Sequence, residues 1–187
     1  EDAFPYVELD PMDRATSVYY LSNVNNFGVR GGYDVIKNRF QNKDRKMPCK
    51  EMAAFLKIIN LTKRALKQQF LTSLCDDVYQ SVRSHVLSLT KNEYREQSLE
   101  DIIQSLNYLC RMAKYVQHTS LIEQIETFKL DMAFTYLQLP FFDARLKGIE
   151  HITSMIHTAQ GKAPVKYNTK HDNYGGGGWN HYTSGYH

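Results

Sequence analysis

The chain has 187 residues, a net charge of +3, 42% hydrophobic residues and 23% charged residues. This length can bury one sizeable core and favours one domain or a short array of repeats. No stretch approaches the ~20 apolar residues of a membrane span, and the acidic start has neither the basic nor the apolar region of a signal peptide.

The first predicted elements are an acidic lead-in over residues 1–13 and a helix over residues 14–26. Three glycines follow, at positions 28, 31 and 32. They follow a helix rather than a strand, and they lack both the Gly-x-Gly-x-x-Gly spacing and a Gly-Lys-Ser/Thr ending. This pattern favours a tight turn between helices over a phosphate-binding loop.

A short helix over residues 33–40 and a polar connection lead to the clearest amphipathic helix of the chain. Pro48 suits the first helical position, and apolar residues follow at helical intervals. These are Met52, Phe55, Leu56 and Ile59.

Thr62 is then predicted to cap a long helix that continues to Val86, with an interruption near Asp76 and Asp77. Its apolar stripe comprises Leu66, Phe70, Leu74, Cys75, Val78, Val82 and Val86. Residues 92–97 are predicted to be a polar linker. Ser98 and Asp101 then resemble a capping box ahead of another helix, whose apolar stripe comprises Ile102, Leu106, Leu109, Ala113 and Val116.

The last predicted pair of helices is separated by Pro140, which cannot continue a helix. The first helix begins at Thr119 or Ser120, and Asp143 is expected to cap the second. Each is predicted to bury one apolar stripe. The stripes are Ile125, Phe128, Met132 and Tyr136 before the proline, and Leu146, Ile149, Ile152 and Ile156 after it.

All predicted elements are helices, which indicates an all-α fold. Successive apolar stripes joined by short turns favour stacked helical hairpins, an armadillo- or HEAT-like α-solenoid segment, over residues 14–159. An ordinary helical bundle is the alternative, since no fixed repeat period is visible. Residues 160–187 contain four consecutive glycines among tyrosines and predict a flexible tail or insertion.

The sequence predicts no catalytic, cofactor-binding or metal site. Cys49, Cys75 and Cys110 are odd in number and widely spaced, which argues against a disulfide framework and a zinc ribbon and favours a reduced, cytoplasmic or nuclear protein. Cys75 and Cys110 fall on apolar helical faces and are predicted to be buried. His85 and His118 are expected at the surface or at helix ends. The tail histidines and aromatic residues have no spacing specific for a metal or for unpaired bases.

Charge is concentrated between positions 37 and 67, where ten basic residues against two acidic ones give a local charge of +8. This segment could pair with the acidic lead-in, form a solvated helical face or bind an anionic partner. As candidate partner-binding residues we take Lys37, Arg39, Lys43, Arg45, Lys46, Lys50, Lys57, Lys63, Arg64 and Lys67.

Three segments, at residues 20–36, 98–113 and 128–149, resemble the N-terminal, non-catalytic helical region of the very large ubiquitin-specific proteases of the fat-facets type. The first carries Asn26-Phe27-Gly28 and the third carries the helix pair around Pro140. The resemblance implies a scaffold region upstream of a papain-like catalytic domain. The family's catalytic motif, Gly-x-Thr-Cys-Tyr-x-Asn, matches none of the three cysteines, so no catalytic residue carries over.

The functional expectation is therefore a non-catalytic scaffold that binds partner proteins, with ubiquitin-pathway substrates among the candidates, as a fragment of a larger deubiquitinating cysteine protease. The first residue, which is not Met, agrees with a fragment or with a processed terminus. The alternative from another class is a basic helical module that binds nucleic acid. An enzyme with an unrecognised site is the third hypothesis.

Overall fold

The computed structural model describes residues 38–42 and 44–161, and in these ranges every regular element is a helix and no strand is present. The helices are α1 (Cys49–Thr62), α2 (Gln68–Leu87), α3 (Lys91–Glu96), α4 (Leu99–Tyr115), α5 (Thr119–Leu137) and α6 (Phe142–Ala159), with a 3-10 turn at Lys63–Ala65 and helical residues at 38–41. The expected all-α class is confirmed. The acidic lead-in, the helix over 14–26, the glycine turn and the tail from residue 162 lie outside the described residues.

The chain divides into two compact units, Glu1–Thr127 and Phe128–His187, and the boundary falls within α5. In the first unit, α4 is the central helix, because it contacts both α1 and α2. The stripes predicted for α1 and α4 are buried. Their burial stabilises this unit, because it removes apolar surface from water.

The N-terminus of α1 is completed by a residue distant in sequence. Pro48 is the N-cap of α1 and offers no side-chain hydrogen bond. The amide of Cys49 instead donates to Oε1 of Gln97, at 2.8 Å. Gln97 lies between α3 and α4, so this bond joins the start of α1 to a turn formed 48 positions later.

Helix α2 starts later than predicted. Thr62 is the last residue of α1 rather than a cap, and Lys67, with extended backbone angles, is the N-cap of α2. The expected interruption at Asp76 and Asp77 is also wrong, since α2 runs unbroken to Leu87. Both aspartates are exposed, where a carboxylate keeps its hydration and disturbs no packing.

The predicted linker at residues 92–97 is wrong, because Lys91–Glu96 form α3. The Thr90 hydroxyl accepts from the Glu93 amide, and the Glu93 carboxylate accepts from the Thr90 amide, which is a complete capping box. Tyr94 is buried and donates its hydroxyl hydrogen to the Val86 carbonyl at 2.6 Å. This polar hexapeptide is therefore helical because the capping box gives the Thr90 and Glu93 amides hydrogen-bond acceptors and because the Tyr94 ring is buried and bonded to Val86.

Two other helix starts differ from expectation in detail. Ser98 is the N-cap of α4, as predicted, and its hydroxyl accepts from the Glu100 amide. Asp143 does not cap α6, because Phe141 occupies the N-cap position and Asp143 lies within the first turn. A carboxylate there still interacts favourably with the positive end of the helix dipole.

Candidate functional site

The exposed large apolar side chains are concentrated in residues 128–161, which we call the hairpin. Seven such side chains occur in the described part of the chain, and Leu87 and Tyr115 are the two outside the hairpin. The other five are Leu130, Phe134, Phe142, Ile149 and Ile156. A surface this apolar within 34 residues marks a candidate interaction site.

The two helices of the hairpin approach each other closely at Gly148. A β-carbon on Gly148 would lie 2.7 Å from the carbonyl oxygen of Ala133 and 2.7 Å from the amide nitrogen of Leu137. Only glycine allows such an approach of one backbone to another. The connection at residues 138–141 is short, so α5 and α6 are antiparallel neighbours, and the Arg145 side chain donates to the Leu139 carbonyl across it at 2.6 Å.

The helical period places the exposed side chains of both helices on one side of the hairpin. At about 100° per residue, Leu130 and Phe134 are rotated by about 60° and 100° from Ala133, which faces α6. In the same sense, Ile149, Ile156 and Phe142 are rotated by about 80–120° from Gly148. Equal rotations in one sense on antiparallel helices point to the same side. These five side chains therefore form one surface, which we call the hairpin face.

The exposure of the hairpin face corrects the prediction for α6. Ile149 and Ile156 were expected to be buried, but they are 42% and 52% exposed. The buried side of α6 is formed instead by Ala144 and Gly148, whose small size permits the close helix contact. The sequence signal was the pair of small residues four positions apart, which the spacing of the large apolar residues does not reveal.

Several residues of the basic segment, positions 37–67, are paired with nearby groups of the protein. Lys37 and Lys43 lie outside the described residues. Arg39 pairs with Glu51 at 3.2 Å, and Lys46 pairs with Glu93 at 2.9 Å. Carboxylates that already neutralise a cation reduce the charge available to an anionic partner.

The remaining basic residues are spread along α1 and beyond it. The Lys63 amine donates to Asn60 at 3.1 Å and lies over the Tyr115 ring, and its pKa is lowered by burial and by nearby Arg64 and Arg111. Lys57 is half-buried. The exposed cations are Arg45, Lys50, Arg64 and Lys67. Arg45 and Lys67 flank a helix of about 21 Å, so the four do not form one compact patch.

A chain of hydrogen bonds links Asp76, His118 and Ser120 at the start of α5. Nε2 of His118 donates to the Asp76 carboxylate at 2.8 Å, and Nδ1 lies 3.3 Å from the Ser120 hydroxyl, which donates to it in this tautomer. The order of groups is that of a serine nucleophile and its base. In such a triad the carboxylate that orients the histidine is buried, whereas the Asp76 side chain is 52% exposed. The cluster is therefore best explained as a structural hydrogen bond that joins α2 to the start of α5.

His85 lies in the last turn of α2, which is one of its two expected positions, and it is buried rather than at the surface. Its Nε2 donates to the Met47 carbonyl at 2.7 Å. Burial lowers the pKa of His85, and nearby Lys46 and Arg39 act in the same direction, while the Met47 carbonyl and Glu93 oppose them. The ring borders an open cleft of about 560 Å³. Other residues lining this cleft include Phe40, Lys46, Ser81, Ser84 and Ser88.

Protonation of His85 is expected to destabilise the fold. The pKa of His85 is lower in the folded protein than in the unfolded chain, where it is about 6.5. The unfolded chain therefore binds the proton more readily, and stability falls as the pH decreases below about 6.5. Urea unfolding at several pH values between 7.5 and 5.5 measures this slope. His85→Gln should reduce it, and an unchanged slope in this variant would contradict the assignment.

The three cysteines are free and buried, which was predicted for Cys75 and Cys110 and holds for Cys49 as well. Burial raises the pKa of the Cys49 and Cys75 thiols to about 12, with a smaller contribution from Asp101 and Asp76 respectively. The Cys110 thiol lies 3.4 Å from the Glu126 carboxylate, to which it donates.

Native cysteines are therefore expected to resist alkylation. At pH 8 neither Cys49 nor Cys75 has an appreciable thiolate fraction, and all three side chains are shielded. Titration with a thiol reagent should label none of them in the folded protein within minutes and all three in concentrated urea. Rapid labelling of any one cysteine without denaturant would show that its burial is incomplete.

Among residues 38–42 and 44–161, no group of three or more His, Cys, Asp or Glu side chains is arranged to hold a metal ion. No helix in these ranges has the length and apolar character needed to cross a membrane. Comparisons of the chain with family models, with curated proteins and with solved structures find no match.

Proposed function

We propose that this chain is a non-catalytic, protein-binding scaffold of stacked helical hairpins and that the hairpin face is its binding surface. The observation that carries the proposal is the exposure of five large apolar side chains on one side of α5 and α6. They present roughly 450–500 Å² of apolar surface if each fully open side chain presents ~200 Å². Contiguous apolar surface of this size is typical of interaction sites.

The hairpin face favours a protein partner over nucleic acid. Binding to a phosphate backbone depends on Lys and Arg side chains that displace counterions. Among the described residues of the hairpin, Arg145 is the basic residue that the helical period places nearest the hairpin face, about 60° from Gly148, and its side chain is bonded to Leu139. The nucleic-acid alternative would have to use the exposed cations near α1, where Arg39 and Lys46 are paired with carboxylates.

The proposal that the chain comes from a large deubiquitinating protease rests on the sequence segments alone. Two of those segments coincide with α4 and with the hairpin. In such a parent, the hairpin face would recruit partner proteins to a catalytic domain elsewhere in the polypeptide. Cleavage of ubiquitin chains by these 187 residues would overturn the non-catalytic proposal.

A photo-crosslinking amino acid at position 142 tests the binding surface directly. Phe142 is the most exposed member of the hairpin face, at 65%, so the replacement should leave the fold intact. We expect crosslinks, in the purified chain or in cell extract, to one defined protein segment rich in apolar residues. Ile149→Glu in the same chain should abolish them.

The control places the same amino acid at Leu87, an exposed apolar position in the first unit. It should give no crosslink to that segment. The proposal is wrong if position 142 gives no segment-specific crosslink in either setting, or if Ile149→Glu leaves the crosslinks unchanged.

A further inference from the structure

We propose that the partner of the hairpin face is a second copy of this chain, packed antiparallel about a two-fold axis that passes beside Ile149. This inference rests on the proposed function, because it assigns an occupant to the same surface. The self-complementary spacing of the α6 stripe, together with the charge and the area of the hairpin face, supports it.

The apolar stripe of α6 is symmetric about Ile149. Phe142 and Ile156 lie seven residues before and after it, and Leu146 and Ile152 lie three residues before and after it. In an antiparallel pair centred on Ile149, Phe142 would oppose Ile156 of the second copy, and Leu146 would oppose Ile152. A two-fold interface requires this reciprocity: if residue i of one copy contacts residue j of the second, then residue j of the first copy contacts residue i of the second.

One exposed residue of α5, Phe134, lies at the level of the same axis. Gly148 contacts both Ala133 and Leu137, so its level on α5 lies midway between them, near position 135. Since the helices are antiparallel, the level of Ile149 on α5 falls one residue earlier, at Phe134. Phe134 would therefore lie opposite Phe134 of the second copy, and Ile149 opposite Ile149 of the second copy. The two hairpins would form a four-helix arrangement.

Charge on α6 is compatible with this pairing. The axis at Ile149 places Arg145 opposite Thr153 of the second copy and Glu150 opposite Gly148. Lys147 is placed opposite His151, and the helical period turns both away from the hairpin face, by about −100° and −60° from Gly148. No two carboxylates and no two Lys or Arg side chains face each other along α6. The hairpin face itself contains no ionised side chain, and apolar, charge-depleted surfaces are more typical of homodimer contacts than of transient contacts between different proteins.

The available area indicates a weak dimer. Two hairpin faces, together with half-buried neighbours such as Leu146 and Ile152, would bury on the order of 1,200 Å² in total, which is the lower end of the range for specific interfaces. We therefore expect a dissociation constant in the micromolar range, about 1–100 μM.

Sedimentation equilibrium of the full chain between about 1 and 200 μM tests the inference over this range. The wild-type chain should shift from monomer to dimer. Ile149→Glu and Ile149→Lys should each be monomeric, because like charges would meet at the axis. An equimolar mixture of these two variants should dimerise again, since each Glu would face a Lys. This rescue is specific to a two-fold axis at position 149.

Leu87→Glu is the matched control, because it adds the same charge at an exposed apolar position of α2 and should leave dimerisation unchanged. Circular dichroism checks the fold of every variant. Phe142→Asp provides a second test if Ile149 variants unfold, since an acid in the first turn of α6 is favourable for the helix and should still dissociate the dimer.

Three results would overturn the inference: a wild-type chain that stays monomeric at about 200 μM, a dimer unaffected by charge at positions 142 and 149, or a mixture that does not dimerise. The crosslink at position 142 separates this failure from failure of the proposed function. A monomeric chain whose position 142 crosslinks to a segment of another protein would exclude the second copy and retain the binding surface.

Discussion

Replacing Gly148 by alanine is expected to destabilise the hairpin by about 1–3 kcal/mol. In an ordinary helix the same change stabilises by about 1 kcal/mol, because glycine is a poor helix former. Here the new β-carbon would lie 2.7 Å from two backbone atoms of α5. Backbone atoms cannot move aside as the end of a side chain can, so the helices must separate.

Hydrogen exchange across residues 128–161 of the variant measures this loss locally, and thermal unfolding measures it for the whole chain. Gly161→Ala is the comparison, since nothing lies within 4 Å of its β-carbon position and its φ is +74°. It should cost about 1 kcal/mol, from the left-handed backbone alone. A Gly148→Ala variant as stable as the wild type would show that α5 and α6 do not approach as closely as described.

Replacing Leu106 by alanine is expected to reduce the free energy of unfolding by about 2–5 kcal/mol. Leu106 is fully buried in α4, the helix that contacts both α1 and α2. Truncation removes three carbon atoms from a site surrounded by fixed helices, so the cavity can close only in part. Urea unfolding, followed by circular dichroism, gives the difference.

Leu87→Ala is the control for Leu106, because the same atoms are removed from a side chain that is half exposed. Its effect should stay within about 0.5 kcal/mol. If both variants lost the same stability, the apolar centre of the first unit would not lie along α4.

Helix positions in the first unit were predictable where apolar residues recur at helical spacing and are large. Met52, Phe55 and Leu56 in α1 and Ile102 and Leu106 in α4 are buried as expected. Helix α3 was missed because its hexapeptide has no apolar period. The signal was present in Thr90 and Glu93, whose spacing is that of a capping box.

The candidate site was the least predictable feature. An apolar period shows that a helix has two different sides, but it does not show which side another element covers. In α6 the covered side is the one with Ala144 and Gly148, so the isoleucines are exposed. The burial of His85 was unpredictable for a similar reason, since only the folded chain brings the Met47 carbonyl to its ring.

The bond between the Cys49 amide and the Gln97 side chain gives the first helix an unusual dependence on the rest of its unit. An isolated peptide covering α1 would lack this acceptor and should be largely unstructured, as short helices are without tertiary contacts. Within the protein, the amide can exchange its hydrogen only when the turn before α4 also opens. Its exchange rate should therefore report cooperative opening of both segments rather than fraying of one helix end.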